Sequence, residues 1–176
     1  MGPTLLEYDF GITSRNLGER VQKRVNPFTG ESLEIPIDDG LTETELESLI
    51  TVFVNNRVEG PEPDCEGYAR YDDDGGDIRF RGGELDGSNP IIGFMVEIVV
   101  RTLEDDHLNL ILDVCRAGNF ALESPVAGDG VDFLLVDRGP SERERKRWPE
   151  CRVITKTDEL RLWLDEQIGF REVLDM

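Results

Sequence analysis

The sequence has few of the residues on which most catalytic and metal sites depend. It contains one histidine, His107, three lysines and three cysteines in 176 residues. Cys65, Cys115 and Cys151 include no C-x-x-C pair, so we expect reduced thiols rather than a zinc site or a disulfide framework. A Ser-His-Asp or Cys-His relay would have to pass through His107, and no G-x-S-x-G elbow is present. These absences favour a protein without catalytic activity, cofactor or metal.

Phosphate-cradling loops and long hydrophobic runs are also lacking. The glycine-containing segments 81–87 and 128–130 fit neither G-x-G-x-x-G nor G-x-x-x-x-G-K-[ST]. The most apolar run, 91–100, has ten residues with Glu97 inside and is too short to span a membrane. The opening MGPTLLEYDF lacks the basic start and apolar stretch of a signal peptide. We therefore expect a cytoplasmic protein.

Negative charge is what the sequence has in excess. With 38 acidic and 19 basic residues, the net charge is −19. Counting along the chain gives −6 for residues 1–60, −13 for 61–137 and 0 for 138–176. The middle third would repel DNA or RNA, so direct nucleic-acid binding is not expected and a basic protein is the natural partner. A second explanation of the acidic composition stays open. A GC-rich genome or a high-salt cytoplasm biases the composition of every protein in the cell, and the preference for arginine, 16 of the 19 cations, fits such a bias.

Hydrophobic periodicity predicts an α+β fold with a mixed or antiparallel sheet and about three main helices. In the first half we expect a strand over 6–12, a hairpin of 20–25 with 32–37, and a helix from a Thr42-x-x-Glu45 capping box to about Asn56. Segment 59–67 has two prolines and two glycines, which predict a loop.

The second half has the predicted order β-α-β-β-α-β, followed by a helix. The elements are a strand over about 93–101, a helix from a Thr102 cap to a left-handed stop at Gly118, strands over 119–123 and 131–137, a helical turn over 141–148, a strand over 151–155, and a helix from Thr157 to Gly169. This order is typical of a ferredoxin-like unit. We expect one domain, 1–176, with a β-rich layer and one helix in 1–90 and the β-α-β-β-α-β-α portion in 91–176. Whether the halves share one sheet stays open.

The segment YARYDDDGGDIRFR (68–81) has the composition of a metal-binding loop, but its spacing predicts a hairpin. Counted from Asp72, the sixth position of an EF-hand loop, which requires glycine, is Asp77. Asp74-Gly75 instead predicts a tight type I′ turn that pairs position 72 with 77, 71 with 78 and 69 with 80. The predicted buried face then consists of Ala69, Tyr71, Ile78 and Phe80.

A second candidate metal site involves the only histidine. Glu104 and His107 have the three-residue spacing of carboxylate-histidine sites in helical bundles, but those sites need a second such pair. The acids at 104–106 are explained more simply by the electropositive N-terminus of the predicted helix. We therefore predict no metal here.

We interpret the sequence as an acidic binding protein that docks and neutralises a basic protein, such as a toxin or a nucleic-acid-processing enzyme. Inhibitor and immunity proteins of similar composition act in this way. The predicted partner-binding residues crowd the hairpin tip and the loop after it: Asp72, Asp73, Asp74, Asp77, Glu84 and Asp86. The alternative is a small ligand-binding domain or enzyme with an arginine-lined or carboxylate pocket. Its candidate anion site consists of Arg70, Arg79 and Arg81.

Overall fold

The computed structural model describes residues 5–38, 40–63, 67–87, 91–124 and 133–174. In this part of the chain the side chains of 17–22, 33, 35–38 and 167–174 are not described. The described residues form fourteen helices and strands. The strands are β1 (Leu6–Ser14), β2 (Leu17–Val25), β3 (Ser32–Asp38), β4 (Glu59–Glu62), β5 (Gly67–Tyr71), β6 (Asp77–Arg81), β7 (Gly93–Val100), β8 (Phe120–Glu123), β9 (Phe133–Val136) and β10 (Cys151–Ile154). The helices are α1 (Glu43–Asn55), α2 (Asp105–Gly118), α3 (Glu142–Arg147) and α4 (Thr157–Leu174). None of these helices is long and apolar enough to cross a membrane.

Both halves of the chain contribute strands to one sheet. Its order is β10-β9-β8-β1-β7-β6-β5-β4, while β2 and β3 form a separate hairpin. The first predicted strand, β1, pairs antiparallel with β7 on one side and with β8 on the other. The α+β class is therefore confirmed, and the open question about the two halves is answered by the central position of β1.

The β-α-β-β-α-β order of the second half is confirmed, but its arrangement is not that of a self-contained ferredoxin-like unit. Strands β7 and β8 are both antiparallel to β1 and hence parallel to each other. In a split β-α-β unit a strand of the same unit lies between the two parallel strands. Here β1, from the other half of the chain, occupies that place.

The main core lies between one face of the sheet and three helices. Phe53 of α1 contacts Phe80 and Phe94 of the sheet, with ring centroids 5.0 and 6.3 Å apart. At the other end, Trp163 of α4 meets Phe10 edge-on at 6.0 Å. Helix α2 packs between α1 and α4. Burying these large side chains on one face supplies most of the hydrophobic stabilisation.

The opposite face of the sheet is covered at one end; elsewhere it has charged side chains together with the exposed Tyr71 and Met95. Trp148, which follows α3, is buried and stacks on Phe133 with a centroid distance of 5.1 Å. It forms a second, small core with Ala121 and Leu135. Beyond this patch, the exposed side of the central strands has charged side chains: Glu7, Asp9, Arg79, Arg81 and Glu97.

Several predicted boundaries are wrong for local reasons. The cap of α2 is Glu104 rather than Thr102, and the left-handed residue is Asn119 (φ 54°) rather than Gly118. Gly118 belongs to the helix, and a Cβ there would collide with the Phe120 ring. Helix α4 continues beyond Gly169. The capping box of α1 is confirmed, because Glu45 N–H donates to the Thr42 hydroxyl and Thr42 N–H donates to the Glu45 carboxylate.

The loop predicted at 59–67 contains a strand. Strand β4 pairs with β5 at the edge of the sheet, and its register shifts between Glu59↔Ala69 and Glu62↔Gly67. Proline is tolerated there because an edge strand leaves one side of its backbone without a neighbour. Other residues of this segment, at 64–66, lie outside the described residues, as does the glycine-containing segment 128–130.

The predicted register of the hairpin at 68–81 is wrong by one residue. Tyr71 opposes Asp77, Arg70 opposes Ile78, and Tyr68 opposes Phe80. The turn is a five-residue loop over 72–76, in which Asp72 N–H donates to the Gly76 carbonyl and Gly76 N–H donates to the Asp74 carboxylate. Because side chains alternate along a strand, this shift sends Arg70 to the helix-covered face and Tyr71 to the other. The predicted register would have set Asp72 opposite Asp77, whereas in the structure Asp77 faces Tyr71.

Candidate acidic docking surface

Arg70 is the centre of a polar network under the hairpin loop. Its side chain is 3% exposed, and its guanidinium contacts Asp72 at 3.2 Å and Asp106 at 3.0 Å. A charge buried to this extent needs nearby counter-charges, and here two carboxylates supply them. One comes from the β5–β6 loop and the other from the first turn of α2. The pair of contacts therefore ties the hairpin to the helix.

His107 strengthens the same connection. Its Nδ1 accepts the Glu104 backbone N–H at 3.0 Å, and its Nε2 lies 3.1 Å from an Asp72 carboxylate oxygen. Because a backbone N–H can only donate, Nδ1 carries no proton in this arrangement, and the proton on Nε2 is donated to Asp72. Both ring nitrogens are thus engaged within the fold. His107 acts here as a connector between α2 and the hairpin.

The network brings two separate acidic runs of the sequence together, 72–74 and 104–106. Asp73, Asp74, Glu104, Asp105 and Asp106 are all exposed, and we call this group the acidic ridge. The Asp105 and Asp106 side chains remain 70% and 67% exposed although each contacts an arginine, Asp105 at 2.9 Å from Arg161. The ridge carboxylates are therefore exposed to solvent, while the contacts of Arg70 and His107 hold the backbone segments that carry them against each other.

The six predicted partner-binding residues do not form one patch. Asp72 and Asp77 are only 17% and 15% exposed and point to arginines, Asp77 lying 3.2 Å from Arg79. Asp73 and Asp74 are exposed at the loop. Glu84 and Asp86 are exposed as well, but they follow the far end of the five-residue strand β6, about 16 Å from the loop at ~3.3 Å per residue.

The three arginines of the candidate anion site lie on different faces of the sheet. Arg70 is on the helix-covered face, while Arg79 and Arg81 project from the opposite one. Arg79 forms a hydrogen-bonded ion pair with Asp77, and the Arg81 guanidinium lies 3.8 Å from the Glu97 carboxylate. Burial disfavours the charge of Arg79, but Asp77 and Glu97 outweigh this effect, so its pKa is raised. The geometry does not gather these three guanidinium groups into one site.

Carboxylates also cluster on the outer face of the sheet. Within the described part of the chain, Glu7, Asp9 and Glu97 bring three oxygens within 4.8 Å of one another. The cluster follows from the register, since Asp9 is directly opposite Glu97 and Glu7 is on the same face. Exposed acidic groups of this kind are common without a bound ion. Arg81, next to Glu97, offsets part of the charge.

Sequence reasoning missed the contribution of residues 104–106. It explained these acids by the helix N-terminus alone and did not connect them with the hairpin. No signal in the sequence pointed to this contact, because the predicted register placed Arg70 on the outer face; only the observed register buries Arg70 and makes its need for carboxylates evident.

Comparison with known proteins does not add to this picture. The chain matches no protein-family model, and no match is found among curated proteins or solved structures. The geometry of the described residues is therefore the basis for any functional proposal.

Proposed function

We propose that this protein is an acidic binding module that docks a basic protein through the acidic ridge and neutralises it by covering its functional site. The observation that supports the proposal is the joining of two acidic runs by the buried Arg70–Asp72–His107 network. The five ridge carboxylates are exposed, whereas the side chains that fix them are buried or half-buried. A partner therefore meets negative charges that are already in position.

Preorganisation and charge together suit rapid, specific association. Fixed surface charges attract an oppositely charged partner over a Debye length, about 8 Å at physiological salt, and raise the association rate. Because Arg70 and His107 already hold the β5–β6 loop against α2, binding does not require the further loss of conformational entropy that ordering this loop would cost. The same field disfavours DNA and RNA.

The expected partner is a basic cytoplasmic protein whose own site is positively charged. A nucleic-acid-processing enzyme fits this description, because the surface that such an enzyme uses for phosphates is positively charged and complementary to exposed carboxylates. A toxin of that kind would be neutralised by simple occlusion. The proposal needs no catalytic residue on this chain.

The test compares two variants with the same change in net charge. The ridge variant is Asp73→Asn, Asp74→Asn, Glu104→Gln and Asp105→Asn, which leaves Asp106 as the partner of Arg70; the matched control alters the exposed acids Glu34, Glu47, Glu59 and Asp158 to their amides. A basic protein captured from the host by the wild type is purified and its association rate is measured by stopped flow at several salt concentrations. We expect the ridge variant to associate at least about tenfold more slowly and the control to stay within about twofold.

Equal slowing of both variants would show that total charge matters and the ridge does not. Cytochrome c serves as a non-specific basic probe in the same assay. If the captured protein bound no more tightly than cytochrome c, the docking proposal would be wrong.

A further inference from the structure

The two edges of the main sheet differ in their capacity to accept a further strand. At one edge, β4 contains Pro61, which lacks an N–H, and its pairing with β5 is interrupted by a shift of register. Such features protect an edge against pairing with another chain. At the other edge, β10 contains no proline and pairs with β9 in regular parallel register over all four residues. Among the described strands none lies on the other side of β10.

The register of β10 shows which of its backbone groups point away from the sheet. The Ile154 carbonyl accepts from the N–H of Asp137, the residue after β9, at 2.9 Å, so the backbone of Ile154 is bonded towards β9. The direction of bonding alternates along a strand, and Arg152 therefore bonds towards β9 as well. The N–H and the carbonyl of Val153, between these two residues, point to the open side.

Apolar surface borders this open side. Val153 of β10 is 40% exposed and Leu162 of α4 is 63% exposed. Both side chains line a groove of about 160 Å³ between the two elements, together with the buried Ile154 and Trp163. Backbone groups that point outwards beside an apolar groove are the two features that an added strand uses.

The distribution of charge limits where two copies of this chain can meet. With a net charge of −19, two copies repel each other over most of their surface. Residues 138–176, which include β10 and α4, contain nine acidic and nine basic residues and are neutral as a group. A second copy therefore meets the least repulsion at this part of the chain.

The sequence of the edge is complementary to itself in one antiparallel register. When Val153 lies opposite Val153 of a second copy, Glu150 lies opposite Lys156 at both ends of the paired segment. A shift in one direction sets Arg152 opposite Arg152, and a shift in the other sets Arg152 opposite Lys156. Like charges opposite each other destabilise a strand pair. Of these three registers, only the one centred on Val153 brings opposite charges together, and both Glu150 and Lys156 are exposed.

We propose that β10 pairs antiparallel with β10 of a second copy about a two-fold axis, so that the main sheets of two chains become one continuous sheet. The two Val153 residues exchange two backbone hydrogen bonds at the axis, and the paired strands cover the apolar groove beside Leu162. Because the strand has only four residues, the interface is small and the dimer is reversible. The dimer does not use the acidic ridge and does not depend on the docking proposal.

The first experiment is sedimentation equilibrium of the full chain at loading concentrations from about 1 to 500 µM, with a dissociation constant below about 200 µM expected. Lys156→Glu and Glu150→Lys each place like charges opposite each other twice, so each should raise the dissociation constant about fivefold or more. The double variant exchanges the charges and restores the opposite pairs, so it should return to within about twofold of the wild type. Lys146→Glu, an exposed residue of α3 with the same change in charge as Lys156→Glu, is the matched control and should stay within about twofold.

A crosslink tests the register itself. The proposed register sets position 155 opposite Cys151 of the second copy, and Cα atoms of such hydrogen-bonded pairs are about 5.5 Å apart, within the roughly 4.4–6.8 Å that a disulfide spans. Mild oxidation of Thr155→Cys should therefore link position 155 to Cys151 between chains, as mapped by mass spectrometry. Glu47→Cys, exposed on α1, is the control for random collision and should give no such link to Cys151.

Circular dichroism checks the fold of every variant, and if a charge variant is unfolded, the crosslink at position 155 decides the question. A chain that stays monomeric at about 500 µM would overturn the proposal. So would a double charge variant that dimerises no better than the single variants, or the absence of the link between position 155 and Cys151.

Discussion

A buried ion pair joins the end of β1 to α3: Arg15 Nε and Glu144 Oε2 are 2.6 Å apart. Replacing Glu144 by glutamine removes one charge and almost no volume from this pair. The glutamine oxygen can still accept from Arg15, but its amide group cannot, so one guanidinium N–H loses its partner. Arg15 keeps the carbonyls of Arg138 and Gly139. The variant therefore removes the counter-charge of an arginine that is 2% exposed, together with one of the two carboxylate oxygens that accept from Arg15 and the Ser141 N–H.

The expected cost follows from the burial of the pair. Removing one partner of a buried ion pair typically costs 3–5 kcal/mol, and the two retained carbonyl contacts argue for the lower end, about 3 kcal/mol. For a chain of this length each kcal/mol lowers the melting temperature by roughly 2–4 °C, so the predicted decrease is about 6–12 °C. Glu142→Gln, an exposed residue of the same helix, should change stability by less than about 0.5 kcal/mol.

Urea unfolding at pH 7 measures this difference, with circular dichroism and tryptophan fluorescence as two probes of one transition. The buried residues Trp148 and Trp163 report from the two cores of the molecule. A cycle of Arg15→Met, Glu144→Gln and the double variant should give a coupling of at least about 1 kcal/mol, because the double variant no longer has an unpaired charge. A coupling near zero, or a Glu144→Gln variant as stable as the wild type, would refute the assignment of a stabilising pair.

The pH dependence provides a further check of the same pair. Burial opposes the ionisation of Glu144, but hydrogen bonds from Arg15 and Ser141 outweigh it, so its pKa is lowered from the ordinary value of 4.5. A carboxyl whose folded pKa is lowered stabilises the fold fully above its unfolded pKa, and that stabilisation is lost as the pH falls through the folded pKa. The stability difference between wild type and Glu144→Gln should be constant near neutral pH and shrink below about pH 4.

Two more predictions concern other buried groups. Asp72→Asn should lower stability by about 2 kcal/mol in urea unfolding, since Arg70 keeps Asp106 but loses the negative charge 3.2 Å from its Nε, and the single amide oxygen cannot replace both carboxylate oxygens. A change below about 0.5 kcal/mol would show that the hairpin is held without this network. Burial raises the pKa of Cys115 to about 12, so the native protein should resist alkylation of this thiol at pH 8 and react after unfolding. Peptide mapping by mass spectrometry measures this, and prompt labelling of native Cys115 would contradict its buried position.

Local signals predicted most individual elements of this fold. Alternation predicted β1, and the Thr42–Glu45 capping box located the start of α1, because both depend on residues close together in the chain. The insertion of β1 between β7 and β8 could not be predicted, since no local pattern records which strand a given strand will pair with. The length of the β5–β6 loop, which decides the face on which each side chain of the hairpin lies, was predicted wrongly for a similar reason. Arg70 lies on the inner face, where it contacts Asp106, 36 residues away in the chain.

The acidic ridge shows the same limit more strongly. It combines two runs, 72–74 and 104–106, that each looked like an ordinary solvated surface. The contacts of Arg70 with Asp72 and Asp106 bring these runs together, and no local pattern in either run records that contact.

The composition of the chain has two explanations, and the ridge comparison distinguishes them physically. An acid-biased proteome adds carboxylates wherever solvent accepts them, so exchanging four exposed acids should have the same effect at any location. A docking surface makes the location decisive, because steering depends on the field at the point of contact and decays over about 8 Å at physiological salt. The ridge variant and its control differ in position and not in charge. A difference between their association rates therefore measures the contribution of the surface that Arg70 and His107 hold in place.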